Sequence, residues 1–316
     1  MKKINFIGLG TAAIGRPQYI NVRQENTKEV SLAEFKNNGY HVLEEAYKNG
    51  VRYFDTAPGY GLAEQLVMEW LYSKGYNDVE IASKWGYTYT ANFDPNAISH
   101  EVKDHSLNKL KEQWKYTQKL LPALSTYQIH SATFESGVLE NTEVFDYLGK
   151  LKQEKGLKIG LTSSGSNQKQ IIESALEIER NGSQLFDAFQ VTYNILDQSI
   201  LELKEKLGSK RIIVKEALAN GRVFPNEHFP EYQKLYQELT KLAAKYNVGI
   251  DAIALRFVID TLTPFKVLSG ASEKKHIKEN LLAESFQLEK EELDRLKSFS
   301  STPEEYWGER KQLAWN

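Results

Sequence analysis

Short β-rich runs alternate with longer amphipathic stretches from one end of the chain to the other, and this alternation restricts the fold more than any other feature. The predicted strands are 4–9, 52–55, 79–84, 126–130, 158–162, 188–191, 211–215 and 265–268. Helices are predicted between them at 32–48, 63–72, 100–120, 142–154, 169–180 and 199–206. A pair at 231–246 and 250–260 follows the seventh strand, and 274–282 and 290–298 follow the eighth. In the first helix Phe35, Val42, Leu43 and Ala46 recur at helical spacing, and Asn49-Gly50 supplies a stop. Strands that alternate with helices pair in parallel. Eight such units favour a closed (β/α)8 TIM barrel over an open sheet. No Pro/Gly/Ser-rich linker interrupts the 316 residues, so one α/β domain over 1–316 is expected, with extra helices and an aromatic C-terminal loop.

Composition excludes several classes of function. Hydrophobic residues make up 41% and charged residues 26% of the chain, the profile of a globular protein with a large core. The formal net charge is -2 with Lys and Arg dispersed, so there is no basic patch to draw nucleic acid. The absence of cysteine removes disulfides, thiolate metal sites and a cysteine nucleophile. His41, His100, His105 and His228 have no metal-ligand spacing, and no metal is expected. The N-terminus does not read as a signal peptide, and no apolar run reaches the roughly 18 residues that would cross a bilayer. A cytoplasmic protein, monomeric or homodimeric, is the expectation.

A barrel takes its reactive groups from the C-terminal ends of its strands and the loops beyond them. The segments 16–28 and 86–99 read as such loops. Four polar residues stand at these ends: Asp55, Tyr60 five residues later, Lys84 and His130. A tyrosine with a pKa of about 10 exchanges protons slowly at neutral pH, and a neighbouring ammonium would lower that pKa. Lys84 is the candidate for that charge, with Asp55 orienting it. His130 would direct a substrate oxygen, and Tyr60 would hand over the proton. On this reading carbonyl reduction fades at alkaline pH, as Tyr60 ionises. Each residue also has an ordinary role: a helix cap, a solvated lysine, a turn tyrosine, a satisfied structural histidine. Their joint placement on one rim favours the chemical reading. Leu107, Leu110, Trp114 and Leu121 read as a core stripe.

At these residues the sequence resembles the aldo-keto reductase superfamily. Val51-Arg52-Tyr53-Phe54-Asp55-Thr56-Ala57-Pro58-Gly59-Tyr60-Gly61-Leu62-Ala63-Glu64 is similar to that family's signature around its catalytic Asp and Tyr. Ile81-Ala82-Ser83-Lys84-Trp85-Gly86 is similar to its lysine strand, and Tyr127-Gln128-Ile129-His130 to its histidine strand. The resemblance extends over essentially the whole chain. It implies a nicotinamide-dependent oxidoreductase acting on a small carbonyl or alcohol. Gly10 and Thr11 would lie near the nicotinamide, and Thr162, Ser163 and Gln190 would bind its carboxamide. Ala217, Leu218 and Gly221 would pass over the pyrophosphate. Ser269, Gly270, Ala271, Ser272, Glu279 and Asn280 would hold the adenosine end. Lys215 stands where many members place an aromatic residue under the nicotinamide, and His276 where many place an arginine on the 2′-phosphate. Glu273 would repel that phosphate, while Lys274 and Lys275 could compensate. The resemblance favours NADP(H), with NAD(H) as the other candidate. Trp85 and Trp307 are the candidate walls of the substrate pocket.

Two other readings compete. Gly8-x-Gly10-x-x-Ala13 matches a dinucleotide fingerprint of the doubly wound fold, but no helical period follows it and the next strand ends too late, at Asp55. The β subunits of voltage-gated potassium channels resemble the same family, which leaves a cofactor-binding sensor or a partner-binding protein of that type, with little turnover, as the alternative to an enzyme. All four reactive residue types are present, which favours the enzyme.

Overall fold

The computed structural model describes residues 5–17, 31–94 and 97–313. Eight parallel strands close into a barrel: β1 (Ile7–Gly10), β2 (Tyr53–Asp55), β3 (Glu80–Trp85), β4 (Leu124–Ala132), β5 (Lys158–Ser163), β6 (Ala188–Thr192), β7 (Arg211–Lys215) and β8 (Lys266–Ser269). Each strand pairs with its sequence neighbours, and β1 closes the ring by pairing with both β2 (Gly10 opposite Asp55) and β8 (Ile7 opposite Val267). The architecture is the (β/α)8 barrel expected from the alternation.

Side-chain alternation divides every strand between two environments. Tyr53, Ala82, Ala188, Ile213 and Leu268 fill the barrel interior as a small cluster. The residues between them, such as Phe54, Ile81, Phe189, Val214 and Val267, join the much larger core beneath the surrounding helices. Those helices are α1 (Ala12–Gly15), α2 (Leu32–Lys48), α3 (Ala63–Lys74), α4 (Leu107–Thr117), α5 (Thr142–Lys155), α6 (Gln168–Leu176), α7 (Lys204–Leu207), α8 (Gln233–Tyr246), α9 (Ile250–Leu262), α10 (Lys274–Leu281), α11 (Lys290–Lys297) and α12 (Pro303–Gln312). α2 begins at a capping box in which Ser31 and Glu34 satisfy each other's backbone groups, and α3 and α5 stop at left-handed glycines, Gly75 and Gly156. Among the described residues no helix is long and apolar enough to cross a membrane.

Four elements differ from the sequence reading. The segment 86–99 is not a plain loop, since Tyr87–Tyr89 and Glu101–Lys103 pair as an antiparallel hairpin. The long helix predicted from 100 therefore starts only at Leu107, after its Ser106 cap. The helix predicted to reach 180 stops at Leu176, because Glu179–Arg180 turns back onto Ser183–Gln184. The aromatic tail is a helix, α12, begun by a Thr302–Glu305 capping box with Pro303 in its first turn. Of the predicted loop 16–28, residues 18–28 lie outside the described residues.

Candidate active site

Parallel strands deliver all their C-terminal ends to one rim. The two-residue period then sends Asp55, Lys84, Gln128, His130, Gln190 and Lys215 inward, on the same face as the interior cluster. Lys84 is wholly enclosed and Asp55 is 2% exposed, and the two form an ion pair. Lys84 also donates to the Thr56 carbonyl at 3.2 Å. The other Asp55 oxygen accepts from Gln190 Nε2 at 2.7 Å and from Gln128 Nε2 at 3.4 Å. Two buried charges survive away from water only when they are paired and hydrogen-bonded, and this arrangement meets both conditions.

Tyr60 hangs over this pair from the turn Pro58–Tyr60. The Lys84 ammonium lies 4.6 Å from the centre of its ring, and the His130 ring meets it edge-on at 5.3 Å. The Tyr60 hydroxyl is not brought down toward neutrality as the sequence reading expected. Burial first, then the Asp55 charge, push it well above the ordinary tyrosine value. The Arg16 guanidinium, 5.6 Å from the ring centre, pulls in the other direction.

His130 is aimed by a distortion of its strand. Pairing of β4 with β5 shifts between Ile129 and Ala132, and Ser131 takes a left-handed φ of 51°. This irregularity is pinned on both sides. The Ser131 amide donates to Thr162 Oγ1 at 2.7 Å, and His105 Nε2 lies 2.9 Å from the His130 carbonyl. Burial, reinforced by the charges of Lys84 and Arg16, holds His130 well below its ordinary value. Burial likewise lowers His105 to about 4, so its Nε2 carries the proton and donates to the carbonyl. Both histidines must gain protons when the chain unfolds in mild acid. Their contribution to stability is complete above about pH 6.5 and is lost as pH falls toward 4. Chemical denaturation at pH 7.5 and pH 5 should show this loss, and His105→Gln should flatten it. Equal losses in both proteins would remove His105 as its source.

Lys215 occupies the far side of the rim. Its ammonium donates to Thr192 Oγ1 at 2.9 Å and Ser164 Oγ at 3.5 Å, and Ser164 continues to Ser131 Oγ at 3.1 Å. Burial, partly opposed by Glu216, brings Lys215 down to about 8. Trp307 stands over it, with the ammonium 5.7 Å from its ring. Trp307 belongs to α12, which is strapped to the rim by Arg310 on Glu216 at 3.0 Å and by Arg222 on Glu309 at 2.8 Å.

Asp55, Tyr60, Lys84, His130, Thr11, Thr162, Gln190, Lys215 and Trp307 thus come together at one end of the barrel. Gly10 flanks them opposite Asp55, and Thr11 Oγ1 donates to the Asp55 carbonyl at 2.9 Å. Ala217, Leu218 and Gly221 form the turn after β7, where Glu216, Ala219 and Asn220 all have positive φ. Ser269, Gly270, Ala271 and Ser272 lead from β8 into α10, whose His276 is exposed and whose Glu279 pairs with Lys275 at 3.5 Å. Ser269 and Asn280 already hold each other at 2.6 Å, and Asn280 holds Asp251 at 2.5 Å. Two residues face away from the rest. The Ser163 hydroxyl points to Gln168 on the outer side of β5. Trp85 is corrected as a pocket wall: it follows Lys84 and so points outward, where it is wholly buried against His105. Sequence reasoning missed Arg16, Ser131, Ser164, Thr192 and Glu216. Strand parity could have found Thr192, two residues beyond Gln190, but no local signal marks Arg16.

A family model described as the aldo/keto reductase family matches residues 6–301. Among curated proteins, L-galactose dehydrogenase of Arabidopsis thaliana is 28% identical over 81% of this chain and 82% of its own. D-threo-aldose 1-dehydrogenase of a Pseudomonas species is 21% identical over 76% of this chain and 80% of its own. Among solved structures, the glycerol dehydrogenase of Gluconobacter oxydans superposes with a TM-score of 0.71 at 20% identity, covering 95% of each chain. A holo aldo-keto reductase of Bacillus halodurans gives 0.68 at 21% identity, covering 94% of this chain and 92% of its own.

Proposed function

Because the chain belongs to the aldo/keto reductase family, a family of oxidoreductases, we propose that it interconverts a small carbonyl compound and its alcohol by hydride transfer, as one catalytic domain. The observation that carries this reading is the enclosed Lys84–Asp55 pair with Tyr60 above it and His130 beside it. Two curated relatives carry sugar-dehydrogenase names, and we take an aldose or a comparably small polyol as the substrate class.

The nicotinamide, when bound, supplies or accepts the hydride. The residues present fit such a group. Lys215 offers the rim an ammonium that donates to the Thr192 and Ser164 hydroxyls, and Gln190 and Thr162 line the same interior face. Lys274 and Lys275 are exposed in the first turn of α10, where a 2′-phosphate would meet positive charge. We therefore favour NADP(H). Tyr60 gives its proton to the carbonyl oxygen in reduction and takes it back in oxidation. Neutral His130 directs that oxygen, and Asp55 with Lys84 keeps the floor beneath Tyr60 rigid and electroneutral. Trp307 forms a wall of the pocket. The alternative of a sensor or partner-binding protein is not favoured, since two of the curated relatives carry dehydrogenase names.

The sign of the pH dependence follows from Tyr60. Reduction needs its proton, which burial keeps in place well above pH 10, so the reduction rate should stay level from neutrality to about pH 10. Oxidation needs that proton to leave and should speed up over the same range. A reduction rate already halved by pH 9 would show that Lys84, rather than burial, governs the ionisation of Tyr60. Fluorescence titration with NADPH and with NADH tests the cofactor reading, with tighter binding of NADPH expected. Binding of neither would end the oxidoreductase reading, and tighter NADH would end the role given to Lys274 and Lys275.

A further inference from the structure

The turn that carries Tyr60 is short and poorly backed. Pro58–Tyr60 makes a single 3-10 turn, in which the Tyr60 amide donates to the Ala57 carbonyl at 3.0 Å. On one flank lies a cavity of about 330 Å³, lined by Pro58, Gly61, Leu62, Tyr89, Phe93 and Tyr116. Packing alone leaves room for the turn to move in that direction. What closes the turn on its other sides is α1 and the hairpin.

The end of α1 is pressed against the turn. The Gly15 carbonyl accepts from the Leu62 amide at 2.8 Å, and a Cβ at Gly15 would collide with the Tyr60 carbonyl oxygen. The next residue, Arg16, is almost fully buried. Its Nη1 donates to the Gly59 carbonyl at 3.1 Å and meets Glu101 of the hairpin at 2.8 Å. The hairpin in turn packs Tyr87 so closely on Gly59 that a Cβ there would lie 2.9 Å from the Tyr87 Cβ. One guanidinium therefore joins three segments far apart in the chain, and it does so 5.6 Å from the Tyr60 ring. The charge on the single Nη1 serves both partners, a carbonyl and a carboxylate, at once.

We propose that Arg16 is a positioning residue for Tyr60: it ties the Pro58–Tyr60 turn to the 87–103 hairpin and keeps a positive charge beside the tyrosine ring. The assignment rests on the reading of Tyr60 as the proton donor. Charge and tether are separable, because lysine keeps the charge on a shorter, differently shaped head, while Glu101→Gln makes the carboxylate anchor neutral and leaves Gly59 bound.

The test compares Arg16→Met, Arg16→Lys, Glu101→Gln, Tyr60→Phe and the double variant Arg16→Met/Tyr60→Phe, all in the full chain. Circular dichroism checks the fold of each. Arg16→Met should lower kcat for aldehyde reduction about 10- to 100-fold, with KM and NADPH affinity changed less than about threefold, because the lost interaction acts in the transition state. Arg16→Lys should recover about a third or more of that loss on a logarithmic scale, and Glu101→Gln should cost only a few-fold. Hydrogen exchange of the peptide covering 57–62 should rise about tenfold or more in Arg16→Met, independently of turnover. In the Tyr60→Phe background the same change should cost almost nothing more, since residues acting as one unit are not additive. Full activity in Tyr60→Phe would overturn the tyrosine assignment and the proposal with it. A dead Tyr60→Phe beside an unimpaired Arg16→Met, or equal losses on adding Arg16→Met to either background, would overturn the proposal alone. If Arg16→Met does not fold, Arg16→Lys and Glu101→Gln decide: unchanged exchange at 57–62 in both overturns it.

Discussion

Tyr60→Phe should reduce kcat for carbonyl reduction by about 10²- to 10⁴-fold, the range that a positioned general acid contributes. The ring itself is expected to stay where it is. Its edge-on contact with His130, its place above Lys84 and its proximity to Arg16 all involve ring atoms that phenylalanine keeps. The thermal midpoint and the NADPH affinity should therefore be nearly those of the parent, and KM should move less than kcat. Steady-state kinetics with a small aldehyde, measured beside a cofactor titration, checks the separation. Turnover that survives the change would assign the proton to another group. Equal losses in kcat and in stability would mean that the hydroxyl serves the fold.

Lys84→Met should damage the fold as well as the reaction. It leaves Asp55, 2% exposed, with two amide donors and no cation. Removing one partner of a buried ion pair costs about 3–5 kcal/mol, because the remaining charge stays away from water. Adding Asp55→Asn should restore a large part of that stability, since the amide carries no charge to solvate. Turnover should not return with it. Denaturant melts of the two single variants and the double variant form a thermodynamic cycle, and strong non-additivity is the expected result. Additive losses would show that the two side chains do not depend on each other. A double variant that regained turnover would remove the pair from the proton-transfer machinery.

Much of the architecture is legible in the sequence. The strands predicted at 158–162 and 211–215 begin where β5 and β7 begin, because apolar alternation bounded by polar turns is a local property. The hairpin at 87–103 could not be read. Its strands are three residues each, too short for a period, and they exist because Tyr87 packs on Gly59 and Glu101 meets Arg16. The tail helix α12 was missed because its first turn, Pro303-Glu304-Glu305, is polar, and its buried side, Tyr306 and Trp307, is a single adjacent pair.

The site divides along the same line. Asp55, Lys84 and His130 were legible because each is a polar residue closing an apolar strand, and a closed parallel barrel brings such ends to one rim. The error on Trp85 came from using proximity along the chain where side-chain parity decides the direction, since Lys84 faces in and its neighbour faces out. The sequence by itself determined the fold, the strand ends that meet and the types of group they carry, because these follow from periodicities a few residues long. Only the tertiary structure decided that burial holds the Tyr60 proton more tightly than a free tyrosine's and that Arg16 reaches the Tyr60 turn. Those outcomes depend on burial and on distances between residues such as Arg16, Gly59 and Glu101, which lie tens of positions apart and meet only once the barrel has closed.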